Sequence, residues 1–262
     1  MDISVIIVNY NHKYFPKLAV EALEKSNFKG KFEIIIIDNN STDPESLTFL
    51  ENAAADKRIT LVKNKENIGF GNANNIGGNM AKGKYIFIHN PDVMVKPNSL
   101  QLLHDYAEKH KDVGIVAPKL IYSSGVVQES CRRDMSFFDL VLKRTFLGKL
   151  PFFSGRVSKY LMQDFDHNKT QEVELVTGAA MFIPRVVWDK VGGFDKRYFL
   201  FMEDFDLCKE IRKAGYKIIY YPDCEISHYQ KRLSQGPNWK LVFKKVAWLH
   251  LSSAIKYFWK WH

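Results

Sequence analysis

Short, nearly unbroken apolar runs punctuate the first half of the chain: ISVIIVNY from Ile3, FEIIIID from Phe32, RITLVKN from Arg58, YIFIHN from Tyr85 and VGIVAPKLIY from Val113. Runs this short and rich in β-branched residues suit strands covered on both faces, since a half-exposed strand would alternate with polar positions. Between them the apolar spacing lengthens to that of helices. One predicted helix opens near Pro16, whose missing N–H costs nothing in a first turn, and carries Leu18, Ala19, Ala22 and Leu23 along one side. Others are predicted over residues 46–55, 71–81 and 99–109. Strands alternating with helices predict an α/β fold, a mostly parallel central sheet flanked by helices and joined by right-handed crossovers.

Ligands of such sheets bind beyond the carboxyl ends of the strands. The first run ends in Asn9, Tyr10 and Asn11, the second in Asp38, Asn39, Asn40 and Ser41, and the strand from Tyr85 in Asn90 and Asp92. Turn chemistry explains any one of these, but three polar ends on one rim favour a site. In IFIHNPDVMV, Pro91 removes a ladder donor and an unpaired Asp92 carboxylate would be costly in an apolar layer, so the strand is predicted to stop there.

Residues 131–163 are basic and aromatic with weak periodicity, and predict an irregular or helical excursion. Strand and helix signals then return in VELVTGAAMFIPRVVWDKVGGFD. In FMEDFDLCKEIRKAG, Leu207, Cys208, Ile211 and Ala214 share a helical face and Gly215 is a stop, so a helix starts close to Asp204 or Asp206. Acidic first turns are ordinary capping chemistry. Here, however, Glu203 and Asp204 follow the aromatic run YFLFM, where burial can raise a carboxylate's pKa and fit it for general-base work. Downstream, Pro222 is predicted to break a strand and aim a short loop that brings His228 toward Asp92. A carboxylate and an imidazole form part of a shell for a divalent cation completed by water and phosphate oxygens. The stretch ENIGFGNANNIGG offers Asn72, Asn74 and Asn75 at a helix start, with donors for a sugar or phosphate. Its single G-x-G follows the third strand and lacks the third glycine, which excludes a dinucleotide fingerprint.

The 262 residues, 46% hydrophobic and 26% charged, suit one large domain over residues 1–230 followed by an extension over residues 231–262. No apolar run approaches the roughly 20 residues of a membrane span, and the chain enters MDISVIIVNY without a basic leader, which predicts a cytoplasmic protein. Three cysteines without metal spacing read as reduced thiols. The net charge of +9 is concentrated, since seven lysines and arginines and no acidic residue follow Glu225. With Trp239, Phe243, Trp248, Phe258 and Trp259 among lysines placed on two sides, this tail predicts either a helix packed on the domain or peripheral contact with an anionic membrane. Nucleic acid is disfavoured, because the strand-end residues are neutral or acidic and would repel phosphate unless a cation intervened.

The ordered set VIIVNYN, IIIIDNNSTD, NIGFGNANN, HNPDV, VTGAAMFIPR, FMEDFDLC and YPxxxxxH resembles the inverting family-2 glycosyltransferases of the GT-A (Rossmann-like) fold over residues 1–230. Its NPD and GFGNANN blocks are most similar to bacterial rhamnosyltransferases of O-antigen and related polysaccharides. The resemblance implies that Asn9 and Asp38 contact the nucleoside, that Asn67, Gly69 and Asn74 line the nucleotide-sugar pocket, and that Tyr10, Asn40 and Asn90 lie on the donor side. It implies Asp92 as ligand of a Mg2+ or Mn2+ that neutralises the leaving diphosphate, with His228 helping to hold it. It implies Asp204 as the base that deprotonates the acceptor hydroxyl, Glu203 in support, and Thr177, Gly178 and Ala179 on the acceptor side. The implied donor is dTDP-L-rhamnose, or alternatively a UDP-hexose; the implied acceptor is a polyprenyl-diphosphate-linked saccharide at the cytoplasmic face of the inner membrane. One departure stands out: relatives carry Asp-x-Asp at the metal position where this chain has Asn90 before Asp92, one formal charge fewer.

Overall fold

In the computed structural model the chain is described except for residues 135, 145–149, 151–154, 156–157, 163, 230–244 and 262. Strand β1 (Ile3–Asn9) is buried at every position, which is why its run does not alternate. It lies between β2 (Phe32–Asp38) and β4 (Tyr85–His89), parallel to both, and β3 (Thr60–Lys63) extends the sheet parallel to β2. Beyond β4 come β10 (Ala180–Pro184), β6 (Val113–Ile121), β11 (Lys217–His228) and β5 (Val93–Met94), with β8 (Gln171–Glu172) paired to β11. The β6–β11 pairing is parallel, whereas β10 runs against both its neighbours. That reversal sends residues 177–179, which enter β10, to the rim where β4 ends. Two short strands, β7 (Cys131–Arg132) and β9 (Leu175–Val176), form a separate ribbon.

Helices cover both faces. On one side α1 (Phe15–Glu24), α2 (Pro44–Ala55) and α4 (Ser99–Lys109) help enclose a core that contains Val5, Ile7, Ile36, Phe87 and Phe182. On the other, α3 (Phe70–Met80), α6 (Arg185–Val191) and α7 (Glu203–Lys213) pack over Ile6, Ile35, Ile86 and Met181. Helix α1 turns inward nearly the face predicted, with Ala19 and Leu23 in the core and Ala22 packed against it, the exception being Leu18. Pro16, Ala19, Val20 and Leu23 are buried at helical spacing, and Leu18 is exposed. The excursion over 131–163 contains α5 (Phe137–Arg144).

Pro222 does not end its strand. Strand β11 runs on to His228, and the register with β6 shifts between Tyr221 and Glu225. A bulge absorbs a residue that cannot donate to the ladder, and it leaves the rest of the strand paired. The same strand then meets β5, with Ser227 opposite Met94 and His228 opposite Val93, and this pairing sets His228 beside Asp92.

The final helix, α8 (Lys245–Trp261), lies against the body. Ala254, Tyr257 and Phe258 join Tyr160, Tyr198 and Met202 in a third core cluster. Lys256 and Lys260, one turn apart, share a side of the helix. Trp239, Phe243 and the lysines before residue 245 lie outside the described residues. All three cysteines are buried and free.

Candidate functional site

The rim formed by the ends of β1, β2 and β4 is held by amides. Asn9 is fully buried and its Nδ2 donates to Asp38 Oδ1 at 2.9 Å, with Ser41 Oγ and Ser46 Oγ also in range at 3.1 and 3.2 Å. Asp38 Oδ2 accepts from the Ser41 N–H at 3.0 Å. These two predicted nucleoside contacts therefore come together, facing inward, with Asn9 orienting the Asp38 carboxylate. Tyr10, after β1, and Asn40, after β2, are exposed at the same rim, Asn40 at a positive φ of 65°.

Asn39 has no role assigned from the sequence beyond its place at a strand end, yet it organises the neighbouring loop. Its Nδ2 donates to Asn67 Oδ1 at 2.8 Å and to the Gly69 carbonyl at 3.2 Å, while its Oδ1 accepts from Asn64 Nδ2 and the Ile68 N–H. Gly69 sits at φ 89°, ψ 169°, a region that glycine alone occupies readily. A Cβ there would also lie 2.2 Å from the Phe199 carbonyl oxygen. The Phe70 N–H donates to that same oxygen at 3.1 Å. The glycine thus lets the 67–70 loop rest on the backbone leading into α7. Asn75, further along α3, clamps Phe194 through both its amide and its carbonyl.

The second half of the site converges through residues 177–179. The Asn90 N–H donates to the Ala179 carbonyl at 2.9 Å, and the Gly178 N–H donates to Asp204 Oδ2 at 3.0 Å. Thr177 is anchored to the Ser130 carbonyl at 3.0 Å. A Cβ on Gly178 would come within 3.3 Å of the Asp204 Cβ and the Phe70 ring, so the small residue permits the approach. One short segment therefore ties the end of β4 to the start of α7.

Helix α7 begins after two consecutive non-glycine residues at positive φ, Phe201 and Met202, both at 70°. Such backbone is costly for bulky side chains and persists where the surroundings enforce it, often at functional sites. It delivers Glu203 and Asp204 side by side. Glu203 is buried and its Oε2 has no hydrogen-bond partner; burial first, then the neighbouring Asp204 charge, pushes its pKa up. Asp204 is half-buried, and burial raises its pKa against the opposing hydrogen bonds from the Gly178 and Phe205 N–H groups. The pair can hold and release a proton near neutrality.

That shift has a thermodynamic consequence. A carboxyl whose folded pKa exceeds its unfolded value binds more protons in the native state, so stability falls as pH rises above the ordinary range near 4.5. Glu203→Gln removes the charge that must be buried. The variant is expected to gain stability over the parent at alkaline pH and lose that advantage near pH 4, which urea melts across pH would measure; a gain that is the same at every pH would contradict the assignment.

At the far side, Asp92 and His228 meet as predicted: His228 Nε2 lies 3.4 Å from Asp92 Oδ1, both side chains buried. Burial opposes ionisation of Asp92, but His228 when protonated, through its hydrogen bond and then its charge, and the charge of His12 outweigh it and hold the carboxyl below its usual range. Gln128, a residue the sequence did not mark, brackets His228. Its Nε2 donates to the His228 carbonyl at 2.9 Å and its Oε1 lies 2.8 Å from Nδ1. Among the described residues no group of three or more His, Cys, Asp or Glu gathers as a metal cage. Two protein donors nevertheless fit a cation of the Mg2+ or Mn2+ class, which is commonly bound by one or two protein ligands with the remaining positions supplied by phosphate oxygens and water.

Buried polar atoms without partners are rare in folded proteins. Of the eight such side-chain atoms among the described residues, Asn9 Oδ1, Asn74 Oδ1, Asn90 Oδ1 and Glu203 Oε2 belong to predicted site residues. Half of the unsatisfied polar atoms thus sit where a polar ligand is expected, spread over the ends of β1 and β4 and the starts of α3 and α7.

The comparisons with known proteins agree with this architecture. Residues 1–250 match the model of the glycosyltransferase-like family 2. The N-acetylglucosaminyl-diphospho-decaprenol L-rhamnosyltransferase of Mycobacterium tuberculosis is 28% identical over 210 residues, covering 75% of this chain and 66% of its own length. The rhamnosyltransferase WbbL of Escherichia coli K12 is 24% identical, covering 97% of this chain and 91% of its own. The chain spans only 24% of the length of another matched relative. Among solved structures, GalNAc-T7 with UDP, GalNAc and Mn2+ superposes with a TM-score of 0.68 at 18% identity, over 92% of this chain and 47% of that one, a likeness of fold. By the family match and the shared GT-A architecture, the chain belongs to the glycosyltransferase-like family 2.

Proposed function

We propose that the protein transfers L-rhamnose from dTDP-L-rhamnose, with inversion, onto a polyprenyl-diphosphate-linked saccharide in cell-surface polysaccharide synthesis. The observation that carries a sugar-transfer site is the set of unsatisfied oxygens on Asn9, Asn74, Asn90 and Glu203, on a fold that also presents Glu203 and Asp204 as a carboxylate pair with raised pKa values. The rhamnosyltransferase names of two relatives support the choice of sugar. In this reading Asp38, oriented by Asn9, accepts from the nucleobase, and Asn67, Gly69 and Asn74 line the donor pocket together with Tyr10, Asn40 and Asn90. Asp92 and His228 would hold a Mg2+ or Mn2+, which when bound supplies charge neutralisation for the departing diphosphate. Asp204 takes the proton of the acceptor hydroxyl, and Glu203 keeps the pair's charge low until that proton arrives. Residues 177–179 border the acceptor.

A lipid-linked acceptor places the enzyme at a membrane surface. No helix among the described residues is long and apolar enough to cross one. Helix α8 instead leaves Trp248, Leu251, Ile255 and Trp259 exposed at spacings of three and four residues, opposite the face buried on the domain. An exposed aromatic stripe within a tail of seven cations and no acid suits the anionic interface of the cytoplasmic leaflet.

The test is a donor screen with the purified chain, lipid-linked acceptor and Mn2+ present. Product from dTDP-L-rhamnose is expected; product from a UDP-hexose alone would overturn the rhamnose assignment while leaving the transferase reading in place.

A further inference from the structure

Gln128 lies 100 residues before His228 in sequence, and nothing in the function proposed above uses it. Its place is fixed by backbone. After β6 the chain turns at residues 122–125, and the Gln128 N–H donates to the Leu120 carbonyl at 2.8 Å, while its own carbonyl accepts from the Ser130 N–H at 2.8 Å. The side chain is buried and reaches the end of β11 with both polar atoms engaged.

Chemistry sets the direction of each contact. A carbonyl oxygen can only accept, so the atom of Gln128 facing the His228 carbonyl must be the amide nitrogen. The remaining atom, Oε1, can only accept as well, so His228 Nδ1 must carry the hydrogen that joins them. A neutral imidazole protonated at Nδ1 has its lone pair on Nε2, and Nε2 is the atom 3.4 Å from Asp92 Oδ1.

We propose that Gln128 is a positioning residue that holds His228 in the Nδ1–H tautomer, so that the Nε2 lone pair and the Asp92 carboxylate face one divalent cation. The proposal rests on the reading of Asp92 and His228 as cation ligands. It accounts for a buried amide whose two bonds go to the backbone and to the ring of a single residue. The contribution is directional: without Gln128 the imidazole is free to carry its hydrogen on Nε2, which would point a proton, not a lone pair, at the cation. Partners of this kind are typically worth about 10–100-fold in metal affinity.

Two readouts on the full chain test it. Long-range 1H–15N spectra of histidine-labelled protein at about pH 8, above the ordinary imidazole range, with Mg2+ and dTDP present, should show His228 protonated at Nδ1, and Gln128→Met should shift its population toward Nε2–H. Mn2+ titration in the presence of dTDP, followed by the loss of free-ion electron paramagnetic resonance signal, should show Gln128→Met binding about 10–100-fold more weakly than the parent, and His228→Ala at least as weakly. Parent protein whose His228 still carries its hydrogen on Nε2 with Mg2+ and dTDP present would overturn the proposal without any variant. So would a Gln128→Met protein that keeps both the Nδ1–H tautomer and the parent's Mn2+ affinity while His228→Ala loses affinity. If His228→Ala binds Mn2+ as the parent does, it is the cation reading that fails, and the proposed role of Gln128 fails with it.

Discussion

Replacing Asp204 with Asn is expected to lower the rate of sugar transfer by about 10²- to 10⁴-fold, the usual contribution of a positioned general base, while dTDP binding stays within about twofold because the donor pocket is untouched. Each oxygen of Asp204 accepts one backbone N–H, from Gly178 at 3.0 Å and from Phe205 at 2.9 Å. These bonds aim the carboxylate between the acceptor-side segment and the 67–70 loop, and they leave lone pairs on both oxygens for an incoming hydroxyl. An amide of the same shape keeps one of the two bonds and loses all basicity. The loss should therefore fall on kcat and spare donor affinity. Glu203→Gln is the counterpart: it removes a buried charge from the pair without touching the two backbone bonds, and it should retain much more activity. A reversal, with Asp204→Asn active and Glu203→Gln inactive, would hand the base role to Glu203, and full activity in Asp204→Asn would remove Asp204 from the chemistry.

The strands, the helices over the first sheet half and the polar strand ends were legible because each depends on local pattern. Asn90, Pro91 and Asp92 conflict with a buried strand within three residues, and the conflict marks the rim. The pairing of Asp92 with His228 was also readable, but by the wrong route. A proline suggested a broken strand, whereas the bulge at residues 222–224 lets β11 continue and pair with β5. What could not be read were residues whose role is made by distant neighbours. Asn39 looks like any turn asparagine until the loop carrying Asn67 and Gly69 is folded against it. Gln128 has no local signal at all, since its partner is 100 residues away. The direction of β10, antiparallel between β4 and β6, is likewise invisible in an apolar run whose pattern is the same either way round.

Lys260→Met is expected to destabilise the fold by about 3 kcal/mol, the scale of removing one partner from a buried ion pair, and to depress transfer although the residue touches no proposed substrate. The Lys260 ammonium lies 2.9 Å from Asp206 Oδ2, 3.1 Å from Asp195 Oδ2 and 2.8 Å from Glu210 Oε1. Asp195 keeps Arg197 as a second cation and Glu210 is partly exposed, so neither is stranded by the change. Asp206 is. It is 1% exposed, burial already pushes its pKa up, and its remaining partners, Trp261 Nε1 at 2.8 Å and the Tyr198 hydroxyl at 3.2 Å, carry no charge. Without Lys260 its pKa must rise further, so the native state binds a proton that the unfolded state releases, and the penalty should shrink as pH falls. Adding Asp206→Asn to Lys260→Met should recover part of the loss, because the stranded charge is then absent. Asp206 stands in the first turn of α7, two residues after Asp204, and so the last turn of α8 braces the turn that presents the base. Urea melts of the single and double variants decide the matter: a Lys260→Met protein as stable as its parent at neutral pH would show that α8 rests on the domain without supporting it.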